Sequence, residues 1–166
     1  MSRSGYSDDY DDYDEWGLVA CWRGVIASAT RGKRGQRFFR ELVAALDAMP
    51  VKRLIANSLG TETPEGDVCA LGALCRAKGA TLDEDDTEDY DKLGDTFDIA
   101  PQLSQEVMFV NDELGQRNTP EERWTRMRDW AARQIRVTED ELLPDEFGSA
   151  SAGAGSPSSG GERSGG

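Results

Sequence analysis

The chain has 166 residues, 37% of them hydrophobic and 31% charged, with a formal net charge of −13; this is one domain's length, somewhat poor in apolar residues. So acidic a balance excludes a general nucleic-acid binder, which needs a basic face to displace counterions. The chain also has no histidine, which removes the usual general base, the usual metal ligand and every Ser–His or Cys–His nucleophile pairing.

Residues 1–15 read as a disordered acidic arm. Asp8, Asp9, Asp11, Asp12, Asp14 and Glu15 alternate with Tyr6, Tyr10 and Tyr13, and like-charge repulsion with so little apolar area leaves nothing to fold around. The arm has no apolar leader segment, and no run in the chain approaches a membrane span. Three cysteines, Cys21, Cys69 and Cys75, then point to reduced thiols in a cytoplasm.

From Trp16 the period changes. Leu18, Cys21, Trp22, Val25, Ile26 and Ala29 recur at helical steps, which predicts an amphipathic helix capped by Asp14 and ended by Gly32. Gly35 is expected to open a second helix striped by Phe38, Phe39, Leu42, Val43 and Leu46 and stopped by Pro50, the two forming an αα-hairpin. "VKRLIANSL" reads as an extended connection or marginal strand. "TETPEG" is turn chemistry around Thr63 and Pro64. A third helix lies in "DVCALGALCRAKG", with Val68, Leu71, Leu74 and Cys75 on one face and Gly79 past its end. Residues 83–91, "DEDDTEDYD", are expected to be a solvated loop with at most one helical turn. Phe97 and Ile99 return to the core, and Pro101 opens a fourth helix. "NTPEERW" predicts a capping box from Thr119 to Glu122 with Pro120 at the first helical position, starting a fifth helix. Thr138 and Glu141 can cap a last turn before Pro144. The sum is an all-α domain, a small bundle of about five amphipathic helices over residues 16–143, followed by a flexible Gly/Ser-rich tail over 144–166. Trp22, Leu42, Leu71, Val107, Trp124 and Ile135 are expected to be buried.

The obvious site motifs fail on spacing. "GKRGQ" lacks the first glycine and the Ser/Thr of a phosphate loop and follows a helix where a strand belongs. Counted from Asp83, an EF-hand would need glycine at Glu88 and glutamate at Gly94. Cys69 and Cys75 are six apart, not at a zinc-finger spacing, and read as buried structural thiols. The expectation is a protein that is not an enzyme, with no cofactor and no metal site.

"RGKRGQRFFR" puts five cations, Arg31, Lys33, Arg34, Arg37 and Arg40, into ten residues. Three readings stand. The knot is a solvated hairpin tip neutralised by the arm or the 83–91 run, in exposed pairs worth only about 0–1 kcal/mol each. Or it grips a phosphate or nucleic acid at a helix N-terminus. Or knot and arm are contact surfaces for a protein partner, with Phe39 as an anchor. Adjacent helical residues diverge by about 100°, so Phe38 and Phe39 are not expected to face one core. In the arm, Tyr10, Asp11, Asp12 and Tyr13 either solubilise the chain, contact a partner, or imitate the phosphates of duplex DNA.

The stretches "WRGVIASATRGKRGQRFFRELVAALDAMPVKRLI", "VCALGALCRAKG", "VMFVNDE" and "TPEERWTRMRDWAARQI" resemble a group of small uncharacterised proteins encoded by bacteriophages and prophages of proteobacteria, over about residues 16–136. The segment after Cys69 and the Asn111–Asp112 pair belong to that resemblance. It implies a phage or prophage accessory protein in the cytoplasm of a bacterial host cell. Such a protein acts by binding a host protein, as in counter-defence, without contact with a membrane.

Overall fold

The computed structural model describes residues 16–60, 66–83, 85–115 and 117–136. These form an all-α bundle of six helices: α1 (Trp16–Arg31), α2 (Lys33–Ala48), α3 (Ala70–Lys78), α4 (Tyr90–Phe97), α5 (Pro101–Asp112) and α6 (Pro120–Gln134), with a 3-10 turn at Asp85–Glu88 before α4. The 51–60 connection is extended. Ile55 N–H donates to Val68 C=O at 3.0 Å and Cys69 N–H to Leu59 C=O at 3.1 Å, and only an isolated bridge joins Gly60 to Val68.

The centre of the bundle is α2. It packs on α6 along one side and α3 along another, meets α1 at its start, and α5 is in turn covered by α1, α3, α4 and α6. Phe38, Phe39, Leu42 and Leu46 of α2 are buried with Leu71 and Leu74 of α3, Leu93 and Phe97 of α4, Leu103, Val107 and Met108 of α5, and Met127 and Ala131 of α6.

This two-sided cover corrects the expectation for the adjacent phenylalanines. Phe38 meets Phe97 edge-on at 6.1 Å between centroids, Phe39 meets Trp130 at 5.3 Å, and the two rings touch each other at 5.4 Å. The 100° between neighbours sends each ring into a different contact, and both contacts are inside. Phe39 is 0% exposed, so it is not available as a partner anchor.

The α1–α2 junction is tighter than expected. Gly32 alone separates the helices, as an extended N-cap with ψ 159° and no side-chain cap, so α2 begins at Lys33 and not at Gly35. Gly35 lies in the first turn because α1 crosses there: a Cβ on it would sit 2.0 Å from the Ala29 carbonyl oxygen. In α1, Ile26 and Ala29 pack on the core, while Cys21 and Val25 of the expected apolar stripe are exposed. The neighbours of α1 cover one narrow side of it, less than the stripe's full width. Leu42, Leu71 and Val107 are buried as expected, whereas Trp22, Trp124 and Ile135 are half-buried. Trp124 uses its edge position: its indole N–H donates to the Leu46 carbonyl at 3.1 Å and Lys52 lies over its ring.

The largest departure is at residues 83–98. The one helical turn allowed for the 83–91 run is the 3-10 turn at Asp85–Glu88, but α4 at Tyr90–Phe97 was not expected, and the acids before it act as caps. Asp83 and Asp86 accept each other's backbone N–H at 3.0–3.1 Å, Lys92 pairs with Asp86, and Asp89 caps α4 by accepting from Lys92 N–H at 3.0 Å. A carboxylate at a helix start satisfies a free N–H and complements the dipole. That is why an acid-rich stretch can open a helix.

Other local signals behave as read. Gly79 ends α3 at φ +65°, Pro101 opens α5, and Thr119 with Glu122 forms the capping box of α6. Asp14, Thr63, Pro64, Thr138, Glu141 and Pro144, and the arm and tail, lie outside the described residues.

Candidate interaction surface at the α1–α2 turn

The basic knot folds as the last residue of α1, the Gly32 hinge and the first two turns of α2. Helical spacing puts Arg34 and Arg37 on one side of α2, and both reach Asp98. Arg34 meets one carboxylate oxygen at 3.1 Å and Arg37 meets the other. Asp98 is aimed there by the end of α4, where it takes a left-handed conformation at φ +52°, one that Asp and Asn tolerate better than most residues. Arg37 also approaches Glu41 at 3.7 Å, and Glu41 binds Lys78 of α3 at 2.6 Å. Arg40 turns the other way and donates to the Arg136 carbonyl at 3.0 Å.

Among the described residues, the carboxylate partner of Arg34 and Arg37 is therefore Asp98, with Glu41 behind it. No carboxylate of the 83–91 run pairs with the knot among the described residues. Arg31 and Lys33 are exposed and meet no carboxylate among the described residues. Tyr10, Asp11, Asp12 and Tyr13 lie outside those residues.

Local electrostatics single out the start of α2. Arg31 suits the negative end of α1. Lys33 and Arg34 sit at the positive end of α2, with no acid in that turn and no side-chain cap at Gly32. Cations there oppose the helix dipole. Asp98 offsets this for Arg34 and leaves Lys33 without a carboxylate among the described residues; a local rule left partly broken is commonest where a surface has work to do.

Beside this positive end lies an open cleft of about 440 Å³. Val25, Ala29, Ile99 and Ala100 form its apolar side, and Lys33 and Arg34 stand at its rim. Val25 is 43% exposed there. The geometry behind it is rigidly tied. The Gln36 amide donates to the Thr30 carbonyl at 2.8 Å and the Gln134 carbonyl at 2.9 Å, and accepts from Arg136 N–H at 2.7 Å. One side chain thus holds the ends of α1 and α6 against α2.

The guanidinium groups of Arg37 and then Arg34 hold the Asp98 carboxyl below its ordinary value. The folded pKa being the lower one, this contribution to stability is present above 3.8 and is lost as pH falls through the depressed folded value. Asp98→Asn keeps a residue that tolerates the left-handed backbone, removes the charge and turns one of the two accepting oxygens into a donor. It is expected to lower the urea midpoint near neutral pH. The gap from the wild type should close in acid, below the folded pKa. A gap that persists unchanged in acid would show that the side chain acts through something other than its charge.

A second polar cluster lies inside the bundle, and its contacts are not readable from the sequence. Asn111 is buried; its Oδ1 accepts from Ala70 N–H at 3.2 Å, and its Nδ2 donates to the Ile55 carbonyl at 2.9 Å and to Asp112 Oδ1 at 2.6 Å. Arg123, also buried, donates to the carbonyls of Asn111 and Leu54 at 3.0 Å each. Arg126 reaches the Val110 and Asn111 carbonyls at 3.0 and 3.2 Å. Two guanidiniums therefore close the C-terminal end of α5. The segment after Cys69 and the Asn111–Asp112 pair, the two features singled out in the resemblance, touch here through the Asn111–Ala70 bond. The only sequence signal was an Asn–Asp pair ending an apolar helix. Nearby, Cys69 caps α3, its sulfur accepting from Gly72 N–H at 3.5 Å. Burial, with Cys69 beside it, pushes the Cys75 thiol up to about 12. Both are buried and Cys21 is exposed.

Among the described residues, no three Cys, Asp or Glu side chains are grouped as a metal site, and no helix is long and apolar enough to cross a membrane. No protein-family model, curated protein or solved structure matches the chain significantly.

Proposed function

We propose that this chain is a non-enzymatic accessory protein of a phage or prophage, working in the cytoplasm of a bacterial host cell by binding a host protein, with counter-defence as the setting. The observation that carries the reading is the cleft at the α1–α2 turn, where an apolar side and a cationic rim meet at an uncapped helix start. A backbone of phosphates calls for a continuous basic stripe. Here Arg34 and Arg37 converge on Asp98, and Arg40 turns to a carbonyl. The accessible apolar side of the cleft favours side chains over phosphates, since partners bury apolar groups at the centre of a patch and leave charge at its rim.

The test is capture from host lysate with the intact chain and with the Lys33→Glu/Arg34→Glu variant. One host protein retained by the wild type, and weakened about tenfold or more (1.4 kcal/mol) by the variant, is the expected result. Equal capture by both chains would remove the cleft from the reading. Retention of DNA or RNA at low salt with no protein captured would replace the reading with nucleic-acid binding.

One observation supports a second reading, an acidic DNA-mimic inhibitor. Such mimicry needs carboxylates on a rigid face, and Asp85 and Glu88 stand exposed on the 3-10 turn, Asp89 at the cap of α4, and Asp91 and Asp95 on α4 itself. Under this reading the captured protein binds DNA, DNA competes with the chain, and neutralising Asp85, Glu88 and Asp91 relieves the competition.

A further inference from the structure

We infer that the cleft at the α1–α2 turn is a seat for an acidic, tyrosine-bearing segment, and that residues 6–15 of this same chain occupy it in cis. The inference rests on reading the cleft as a protein-binding surface and names the chemistry of what it takes.

Three observations converge on it. The first is charge. Lys33 stands at the rim with no carboxylate partner among the described residues, and Arg34 beside it shares Asp98 with Arg37; both sit at the positive end of α2, whose own first turn holds no acid. A segment bringing carboxylates supplies what that turn lacks. The second is shape. Val25, Ala29, Ile99 and Ala100 offer apolar area in a cleft of about 440 Å³, so a polyanion without apolar side chains fills only the rim. Tyrosine fits both requirements, with an apolar ring for the cleft, a hydroxyl for solvent and a face that attracts Lys or Arg. The segment "YSDDYDDYDE" alternates three tyrosines with six acids, so a tyrosine recurs at every third or fourth residue between carboxylates.

The third is reach. The segment ends where α1 begins, at Trp16. From Trp16 to Val25 the helix rises about 14 Å, at 1.5 Å per residue. Ten extended residues span at most about 33–36 Å, enough to run back along α1 and reach both Val25 and the Lys33–Arg34 rim. A tether this short gives an effective concentration on the order of millimolar, so contacts that are individually weak suffice in cis. They also remain displaceable. A host protein presenting its own acidic, aromatic segment would compete for the cleft, and the arm would set the threshold such a partner must pass.

The experiment follows backbone amide NMR signals of the full chain and of a full chain carrying Asp8→Asn, Asp9→Asn, Asp11→Asn and Asp12→Asn. These substitutions lie outside the described residues. Neutralising the arm is expected to shift the amides of Val25, Ala29, Lys33, Arg34 and Ala100, and to leave unmoved Val51 and Ala77, which line a separate cleft with Ala45 and Ala73. The difference should be independent of protein concentration. It should vanish near 1 M salt, where the screening length is about 3 Å, and in a Lys33→Glu/Arg34→Glu background. Unmoved cleft amides overturn the inference, as do shifts that grow with protein concentration, which would place the arm on a second copy. None of these readouts involves a host protein, so the arm can fail while capture from lysate succeeds, and the reverse.

Discussion

Phe39→Ala is expected to destabilise the domain by about 3–5 kcal/mol, the range for emptying a buried aromatic site. The ring is 0% exposed and sits edge-on to both Phe38 and Trp130. Its loss opens a void between α2 and α6, and the large rings beside it cannot collapse into that void without leaving their own contacts. With a urea slope of about 2 kcal/mol per molar, the midpoint should fall by about 2 M. For a domain of ordinary stability, about 5–15 kcal/mol, that removes a large part of the margin. The sequence leaves open an alternative in which Phe39 anchors a partner. That alternative predicts the opposite pattern: an unchanged midpoint and lost host-protein capture. Equilibrium unfolding of the variant decides between them, and a near-neutral result would mean that α2 is not covered on both sides.

Asn111→Leu is expected to cost about 3–4 kcal/mol, although leucine is close to asparagine in size. Asn111 is 2% exposed, and its amide serves Ala70 N–H and the Ile55 carbonyl together. Each buried polar group left without a partner costs about 1–3 kcal/mol, and the substitution strands two. The Asp112 carboxylate loses a donor as well. The damage should spread beyond α5, because the bonds tie α3 and the 51–60 connection to its end. Amide exchange should therefore quicken at Ala70 and in the connection, while the Thr119–Glu122 capping box at the start of α6 is retained. A variant as stable as the wild type would show that water serves these groups equally well.

How far the sequence was readable follows from the range of each interaction. The capping box at Thr119 and Glu122, the start at Pro101 and the left-handed Gly79 are settled within three or four residues, and all three stand where the local chemistry put them. The acidic run at 83–91 reads by composition as a solvated loop with at most one helical turn. Its acids are paired with backbone N–H groups and with Lys92, an arrangement that depends on which carboxylate caps which turn. The density of cations between Arg31 and Arg40 was legible at once. Their partner was not, because Asp98 lies 61 and 64 positions away from Arg37 and Arg34 and belongs to no motif. The same distance hid Asn111, which looks like an ordinary polar residue at a helix end until α3 is placed against it.

The sequence by itself determined the all-α class, the turn chemistry at Gly79, Pro101 and Thr119–Glu122, the loss of histidine-based chemistry and the existence of one dense basic segment. These depend on residue type and near-neighbour spacing alone. Only the tertiary structure decided that both phenylalanines of α2 are interior, that Gly35 must lack a side chain beneath Ala29, and that part of the knot is neutralised by Asp98. It also decided that the cationic rim stands beside an exposed apolar cleft. Each of these depends on which helix faces which, and a periodic pattern marks an apolar face without naming what covers it.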